Sequence, residues 1–360
     1  MKILIDLHHD KFELWRYPKK YFEELKTEFP DLEFTFIEKR DDFLKLLMAA
    51  DAIIGWKISE EDFPLAKNLK WYHTMAAGIG TMFFDAFIKS DVVLSNSAGV
   101  RAAPMADCVI GYIVSLAKRF PMLSKAQDKK EWARFDYWRE IDSVIDLDKS
   151  TLGILGLGGI GTELAKRAKA CGMRVIATKR HIDNKPDFVD ELYTPDRKDE
   201  VLKNSDFVTL ALPLTDDTLN IISTGEFQIM KNSAFLINVG RGKLVDNDAL
   251  IHALQTGEIA GCALDVTSPE PPPDDSPLWT MDNVILTPHI SGIGPNFWER
   301  SQELLKGNIR AFIDGKPLAN VLDPDKDSWE KDDSSLIEKE KIFQKLLEEM
   351  GLKRKRYWDK

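Results

Sequence analysis

Short apolar runs alternate with stretches of helical period through most of the chain. In residues 1–100 the runs KILIDL, EFTFIE, DAIIGW, LKWYHTMAAG and DVVLSN read as strands, and YFEELKTEF and DFLKLLMAA as helices. β-rich runs separated by helix-length segments predict a parallel sheet covered on both faces. A second series opens with one long helical segment, APMADCVIGYIVSLAKRF. It continues through TLGILG, RVIATK, ELYT, FVTLAL, AFLINV, AGCALDV and NVILTPH, the six or seven strands of a complete doubly wound sheet. Past Asp323 the pattern changes to a highly charged extension whose apolar positions, Ile337, Phe343, Leu346, Leu347 and Met350, predict a solvated amphipathic helix packed on the body or on a partner subunit. The basic run Lys353–Arg356 reads as a solvated terminus.

Composition narrows the class without changing this picture. A chain of 360 residues, 44% hydrophobic and 30% charged, is long enough for two domains with cores of their own and reads as soluble and globular. A formal net charge of -10 argues against a nucleic-acid partner, which asks for a basic face. The run MKILIDLHHD carries Asp6 where a secretory segment needs unbroken apolar residues, so it reads as an opening strand. No window approaches a membrane span. Cys108, Cys171 and Cys262 lie far apart and read as buried small hydrophobes of a reducing compartment, with neither a disulfide framework nor a metal site. The expected location is the cytoplasm.

The first chemical signal is the stretch TLGILGLGGIG, where the strand ending near Leu155 runs into Gly156-x-Gly158-x-x-Gly161 and a helical segment closed by Gly172. In such a turn the first glycine permits the tight bend, the second lets backbone approach a pyrophosphate, and the third lets helix pack on sheet. The helix N-terminus then faces the phosphates with free N–H groups. The next strand, RVIATKRH, ends in Thr178, Lys179, Arg180 and His181, with no carboxylate before Asp183. A carboxylate there would bind the ribose hydroxyls of NAD and repel the 2'-phosphate of NADP, whereas a basic pair attracts that phosphate. NADP(H) is therefore the expected cofactor, with NAD(H) possible; the plainer alternative makes Lys179 and Arg180 a solvated strand end.

Three polar residues stand at predicted strand ends, where open α/β sheets bind ligands. Arg241 follows AFLINV with a glycine on each side, Glu270 lies in DVTSPEPPP, and His289 ends NVILTPH. Each alone is ordinarily a surface or structural residue. Together they suit a 2-oxo acid: Arg241 can hold the carboxylate and polarise the carbonyl, His289 can supply the proton, and Glu270 can orient the imidazole.

The motifs GILGLGGIGTELAKRAKACGMRV, LALPLTDDTLNII, MKNSAFLINVGRGKLVDNDALIHALQTGEIAGCALDVTSPEP and SPLW through NVILTPHISG occur in one order, and with them residues 1–322 resemble the D-isomer-specific 2-hydroxyacid dehydrogenases. That family includes phosphoglycerate dehydrogenase and the glyoxylate/hydroxypyruvate reductases. The resemblance implies two doubly wound parallel-sheet α/β domains with a cleft between them. One is a flavodoxin-like substrate domain from residues 1–100 plus 291–325, and the other an inserted Rossmann domain from 101–290; 326–360 is left as the extension. It places the family's catalytic residues on Arg241, Glu270 and His289. It assigns cofactor contacts to Gly156, Leu157, Gly158, Gly159, Ile160 and Gly161, to Leu212, Pro213, Leu214 and Thr218, and to Val239, Gly240, Arg241, Asp265 and His289. Among these Asp265 would meet the nicotinamide carboxamide. The substrate carboxylate would rest on backbone around Ala76, Ala77, Gly78 and Ile79. A homodimer is expected through the long helix, with Trp132, Phe135 and Trp138 packing across it or in an ordinary core.

Four departures refine this. Lys179 and Arg180 stand where NAD-using relatives keep an acid, and Asp107 replaces a glutamate. Pro288 argues against the formate dehydrogenase branch, and AAGIGT lacks the usual Gly-Val-Asp, which loosens any inference about substrate. The reading is an NADPH-preferring reductase of a small 2-oxo acid. The alternatives are a dehydrogenase for bulkier acids, with Trp279, Met75 and Tyr72 shaping the pocket; a phosphoglycerate dehydrogenase; and a dinucleotide-sensing protein of corepressor type.

Overall fold

The computed structural model describes residues 1–8, 12–78 and 84–322; Ile79 and the extension 326–360 lie outside the described residues. The chain divides into two compact units, Met1–Val100 with the described part of Gly294–Lys360, and Arg101–Ile293.

The first unit is built from β1 (Lys2–Asp6), α1 (Lys19–Glu28), β2 (Glu33–Phe36), α2 (Arg40–Leu47), β3 (Ala52–Gly55), β4 (Trp71–Thr74), α3 (Asp85–Ile88) and β5 (Val93–Asn96). The second unit follows with α4 (Ala102–Ala117), α5 (Phe120–Asp128), α6 (Arg134–Arg139), β6 (Thr151–Leu155), α7 (Gly159–Ala170), β7 (Arg174–Thr178), β8 (Glu191–Tyr193), α8 (Lys198–Asn204), β9 (Phe207–Leu210), α9 (Thr224–Ile229), β10 (Phe235–Asn238), α10 (Asn247–Thr256), β11 (Gly261–Leu264) and β12 (Val284–Leu286). The chain then returns to the first unit as α11 (Phe297–Ile313).

In the first unit five parallel strands take the order β2-β1-β3-β4-β5. Side chains alternate between faces because strand period is two. Ile3, Ile5 and Trp71 therefore join Leu25 of α1 and Leu305 of α11 on one side. Leu4, Ile53 and Tyr72 join Phe43 and Leu47 of α2 on the other. Gln302 of α11 accepts from the Tyr17 hydroxyl and donates to the Tyr21 carbonyl at 3.1 Å. Beyond α11 the chain lies antiparallel against β5, bridging Ser95 with Val321.

The second sheet has seven parallel strands in the order β12-β11-β10-β9-β6-β7-β8. Its chain order reverses at β6, the strand before the glycine turn. One face is covered by α4 and α7 through Ala106, Val109, Ile113, Leu164, Ala165 and Ala168. The other is covered by α8, α9 and α10 through Val201, Leu202, Phe227, Leu250 and Leu254. Both folds are the doubly wound parallel sheets that the residue pattern predicts.

Local expectations need correction at the long helix and at the cysteines. The long helix expected through Phe120 ends at Ala117. Arg119 takes a left-handed backbone with φ 54°, and the chain restarts as α5 with Pro121 in its first turn, where a missing N–H costs nothing. Of the cysteines only Cys262 is buried; Cys108 is half-buried, and Cys171 is exposed because it lies past the apolar face of α7, at the helix C-cap. Among the described residues no helix is long and apolar enough to cross a membrane.

Beneath the end of β4 runs a buried polar chain. The Trp71 indole donates to Ser95 Oγ at 2.8 Å, and the same oxygen lies 2.8 Å from His73 Nδ1. Since Trp71 can only donate, the Ser95 hydrogen is left for Nδ1, so the His73 proton sits on Nε2 and is donated to Ser97 Oγ at 3.1 Å. Desolvation holds the His73 pKa down to about 3, so the ring is neutral in the fold. Unfolded histidine titrates near 6.5, so below that pH the unfolded chain takes up a proton that the fold refuses. The contribution is complete above pH 6.5 and is lost as pH falls toward 3. Urea unfolding at a series of pH values should show a slope up to ~1.4 kcal/mol per pH unit steeper than in His73→Asn between pH 6 and 4. Equal slopes would mean that the folded protein accepts the proton.

Candidate active site

Parallel strands leave the second sheet at one edge, so the loops after β6, β7, β9, β10, β11 and β12 meet there. The glycine turn follows β6. Gly156 has φ 99°, a conformation open to glycine, and a Cβ there would stand 2.7 Å from the Ala211 carbonyl. A Cβ on Gly161 would stand 2.4 Å from the Gly156 carbonyl, so its absence lets α7 approach the strand end. Above Gly158 nothing lies within 4 Å of the Cβ position. The helix starts at Gly159, so Gly158, its N-cap, adjoins the N–H groups that the first helical turn leaves without intrahelical partners, the feature that a pyrophosphate uses. Leu157 is buried and Ile160 half-buried, both packed with the core under α7.

Thr178 was read only as part of a strand end lacking an acid. Its buried hydroxyl accepts the Gly156 N–H at 3.1 Å, while its carbonyl accepts the Leu157 N–H at 2.8 Å. A short hydroxyl at the last position of β7 was the available signal. Lys179 next to it is half-buried and Arg180 exposed. After β9, Leu212 packs on the second core and Pro213 is exposed. Thr218 closes its own loop, donating to the Pro213 carbonyl at 2.8 Å and accepting the Thr215 N–H at 2.7 Å.

Arg241 follows β10 and the buried Val239. A Cβ on Gly240 would meet Leu244 at 2.6 Å, and one on Gly242 would overlap the Thr267 carbonyl at 1.9 Å. Gly242 therefore lets the Arg241 turn press onto the loop after β11 that carries Glu270, while Gly240 lets the turn fold onto its own Leu244. Arg241 donates one guanidinium N–H to the Gly240 carbonyl at 2.9 Å.

Glu270 and His289 are in direct contact, with Nδ1 2.9 Å from Oε1. An ionised carboxylate only accepts, so Nδ1 carries hydrogen and Nε2 is the nitrogen left for other work. His289 lies beyond the end of β12, not within it, and takes φ 54°. Asp265 stabilises this left-handed residue: its carbonyl accepts the His289 N–H at 3.0 Å, and its buried carboxylate accepts the N–H groups of Ile290 and Ser291, each at 2.9 Å. Thr287 donates to the same carboxylate at 2.7 Å, which leaves its oxygen to accept from Tyr112 of α4 at 2.6 Å. Burial raises the Tyr112 phenol above its ordinary value, and its coupling to Asp265 adds to this, so it remains a donor. Neither Tyr112 nor Thr287 was signalled by sequence spacing.

Ala76, Ala77 and Gly78 belong to the first unit, just after β4. Met75 and Tyr72, considered above as pocket walls, are 0% exposed and are core: the strand pleat turns them into the apolar layers on either side of the sheet. Trp279 is half exposed, with its indole donating to the Pro273 carbonyl at 2.9 Å.

Residues 110–291 match the family model described as "D-isomer specific 2-hydroxyacid dehydrogenase, NAD binding domain". The chain belongs to this family. It is 37% identical over 308 residues to a putative 2-hydroxyacid dehydrogenase of Haemophilus influenzae, covering 82% of this chain and 93% of that one. It is 34% identical over 285 residues to a glyoxylate reductase of Thermococcus onnurineus, covering 77% and 84%. The crystal structure of a D-isomer specific 2-hydroxyacid dehydrogenase from Xanthobacter autotrophicus in complex with NADPH and MES superposes with a TM-score of 0.73 at 26% identity, covering 90% of this chain and 98% of that one. Family members are NAD(P)-dependent D-2-hydroxyacid dehydrogenases, and the glycine turn provides the space and N–H groups that such a cofactor needs.

Two of the turn glycines, Gly158 and Gly161, make separable predictions. Gly158→Ala meets open space at a negative φ, so its melting temperature should match the parent while dinucleotide affinity falls about tenfold or more, measured by quenching of protein fluorescence. Gly161→Ala should lower the melting temperature without any ligand. Unaltered dinucleotide affinity in the Gly158 variant would move the phosphates away from this turn.

Proposed function

We propose that this protein is an NADPH-preferring reductase that converts a small 2-oxo acid, with glyoxylate and hydroxypyruvate as first candidates, reversibly to the D-2-hydroxy acid. The observation that carries this reading is the Glu270–His289 pair, on the same sheet edge as Arg241 and the glycine turn. Similarity to the glyoxylate reductase of Thermococcus onnurineus supports the substrate class. The absence of an acid after β7, with Lys179 and Arg180 in its place, supports NADPH, with NADH as the slower donor.

A nicotinamide held at the glycine turn would supply the hydride. Arg241 holds the substrate carboxylate through its fork of N–H groups and draws charge toward the neighbouring carbonyl oxygen. Nε2 of protonated His289 delivers a proton to that oxygen as negative charge develops on it. Glu270 keeps Nδ1–H engaged, which fixes the ring with Nε2 toward the substrate oxygen. Asp265 sets the backbone of His289 through the bonds described above, and we assign it the carboxamide contact as well. Ala76–Gly78 with Ile79 supply backbone to the substrate carboxylate. The remaining contacts at Val239, Gly240, Leu212, Pro213 and Thr218 belong to the cofactor wall.

We further propose a cytoplasmic homodimer. Phe120, Trp132, Phe135, Trp138 and Ile141 are all exposed on the chain, Trp132 at 84%, Phe135 at 64% and Trp138 at 57%. Large exposed apolar groups concentrated in one segment of the chain favour an interaction face over a core role within one chain. Three free cysteines suit a reducing compartment.

Initial rates with NADPH and NADH against glyoxylate, hydroxypyruvate, pyruvate and phenylpyruvate test the proposal. NADPH with one of the two smallest acids should be fastest, and Lys179→Ala/Arg180→Ala should raise the NADPH KM at least about tenfold while sparing NADH. Arg241→Ala and His289→Gln should each lower kcat/KM on the order of a thousandfold. Preferred use of phenylpyruvate would replace the small-acid reading. Binding of dinucleotide without turnover of any acid would favour a sensing role instead.

A further inference from the structure

The loop after β4 has an unusual division of its backbone polarity, and the inference here rests on reading that loop as the substrate-carboxylate site. Its acceptors are tied into the fold: the Ala76 carbonyl accepts the Ser97 N–H at 3.1 Å, and the Ala77 carbonyl accepts Nδ2 of Asn96 at 2.7 Å. A peptide unit is planar and trans, so its N–H points opposite to its C=O. Fixing the Ala76 carbonyl inward therefore aims the Ala77 N–H outward, and fixing the Ala77 carbonyl does the same for the N–H of Gly78. Those two N–H groups have no partner among the described residues. Two successive outward donors form a small anion-binding concavity.

The Asn96 amide that orients the second donor is itself over-determined. Its Oδ1 accepts the Ala98 N–H at 3.1 Å, which leaves Nδ2 facing the Ala77 carbonyl, and the side chain is buried. The Asn96 backbone is gripped from the distant return segment: its N–H donates to the Asn320 carbonyl at 3.1 Å. Asn320 Nδ2 donates to the carbonyls of Asn96 at 3.2 Å and Ala98 at 2.9 Å. Asn320 adopts φ 55°, where asparagine is among the few tolerated residues. The residue before it, Ala319, is held at both backbone groups by the buried amide of Asn308 in α11, at 2.7 and 3.2 Å.

We propose that Asn96 is a positioning residue of the substrate-carboxylate site, and that Asn320, anchored through Asn308, holds Asn96 in the orientation that turns the Gly78 N–H toward the substrate. The segment that returns from the second unit thus sets the affinity for the acid. A purely structural clamp would not need the Asn96 side chain, since the Ser97 N–H already joins the loop to β5.

The test is steady-state kinetics of the full-length chain with glyoxylate and NADPH for Asn96→Ala, Asn320→Gly and Gly78→Pro. Glycine keeps the left-handed backbone at 320 while removing the two donors. Asn96→Ala and Asn320→Gly should each raise the KM for the acid about tenfold, with kcat within about twofold and the NADPH dissociation constant unchanged. Combined, they should cost little more than either alone, because they act through one amide. Gly78→Pro deletes the donor itself and should raise KM at least as far. If Gly78→Pro leaves KM unchanged, the loop does not take the carboxylate and the proposal falls with that reading. If Gly78→Pro raises KM while the asparagine variants change only the melting temperature or kcat, the loop reading stands and the role of Asn96 and Asn320 is overturned.

Discussion

Parallel strand pairing is the constraint from which the rest of the molecule follows. A strand that pairs in parallel must be left by a crossover, so every strand of a doubly wound sheet ends on the same edge, and the loops there are freed from packing the core. In the second unit that edge gathers the glycine turn, the Arg241 turn, the Glu270 loop and the His289 segment from positions up to 133 residues apart, Gly156 to His289. The core layers on the two faces carry the stability of the sheet, which lets these loops hold costly backbone such as the left-handed His289.

The second organising feature is the use of missing side chains. Gly161 and Gly242 are places where another backbone occupies the space of a Cβ, and both close approaches join parts of the site: helix to strand end at Gly161, the Arg241 turn to the Glu270 loop at Gly242. Gly158 is different, since it caps the helix N-terminus and its Cβ position meets only open space. The turn Gly156-x-Gly158-x-x-Gly161 thus combines two glycines required by close backbone contacts, Gly156 and Gly161, with one, Gly158, whose Cβ position is open.

Buried polar chains supply the remaining order. Tyr112, Thr287 and Asp265 hold the segment bearing His289, and Asn308, Asn320 and Asn96 hold the loop after β4. In both cases one carboxylate or amide satisfies several backbone groups at once. Such groups are buried because nearly every hydrogen-bonding position is used, and that same completeness fixes the backbone groups they bond.

The sequence by itself determined the two parallel sheets, their strands and the glycine turn, and it singled out Arg241, Glu270 and His289, because period, glycine spacing and position after a strand are local properties of a chain. The strand lengths were less legible: LKWYHTMAAG gave a strand only at Trp71–Thr74, and the long helix broke at Arg119, since ends depend on which backbone groups find partners elsewhere. Burial of Tyr72 and Met75, exposure of Cys171, and the partnerships of Thr178, Tyr112 and Asn320 were decided only by the tertiary structure. Each depends on which residue arrives from a distant segment, and a hydrogen bond spanning 224 positions, as between Asn320 and Asn96, leaves no periodic trace in the chain that makes it.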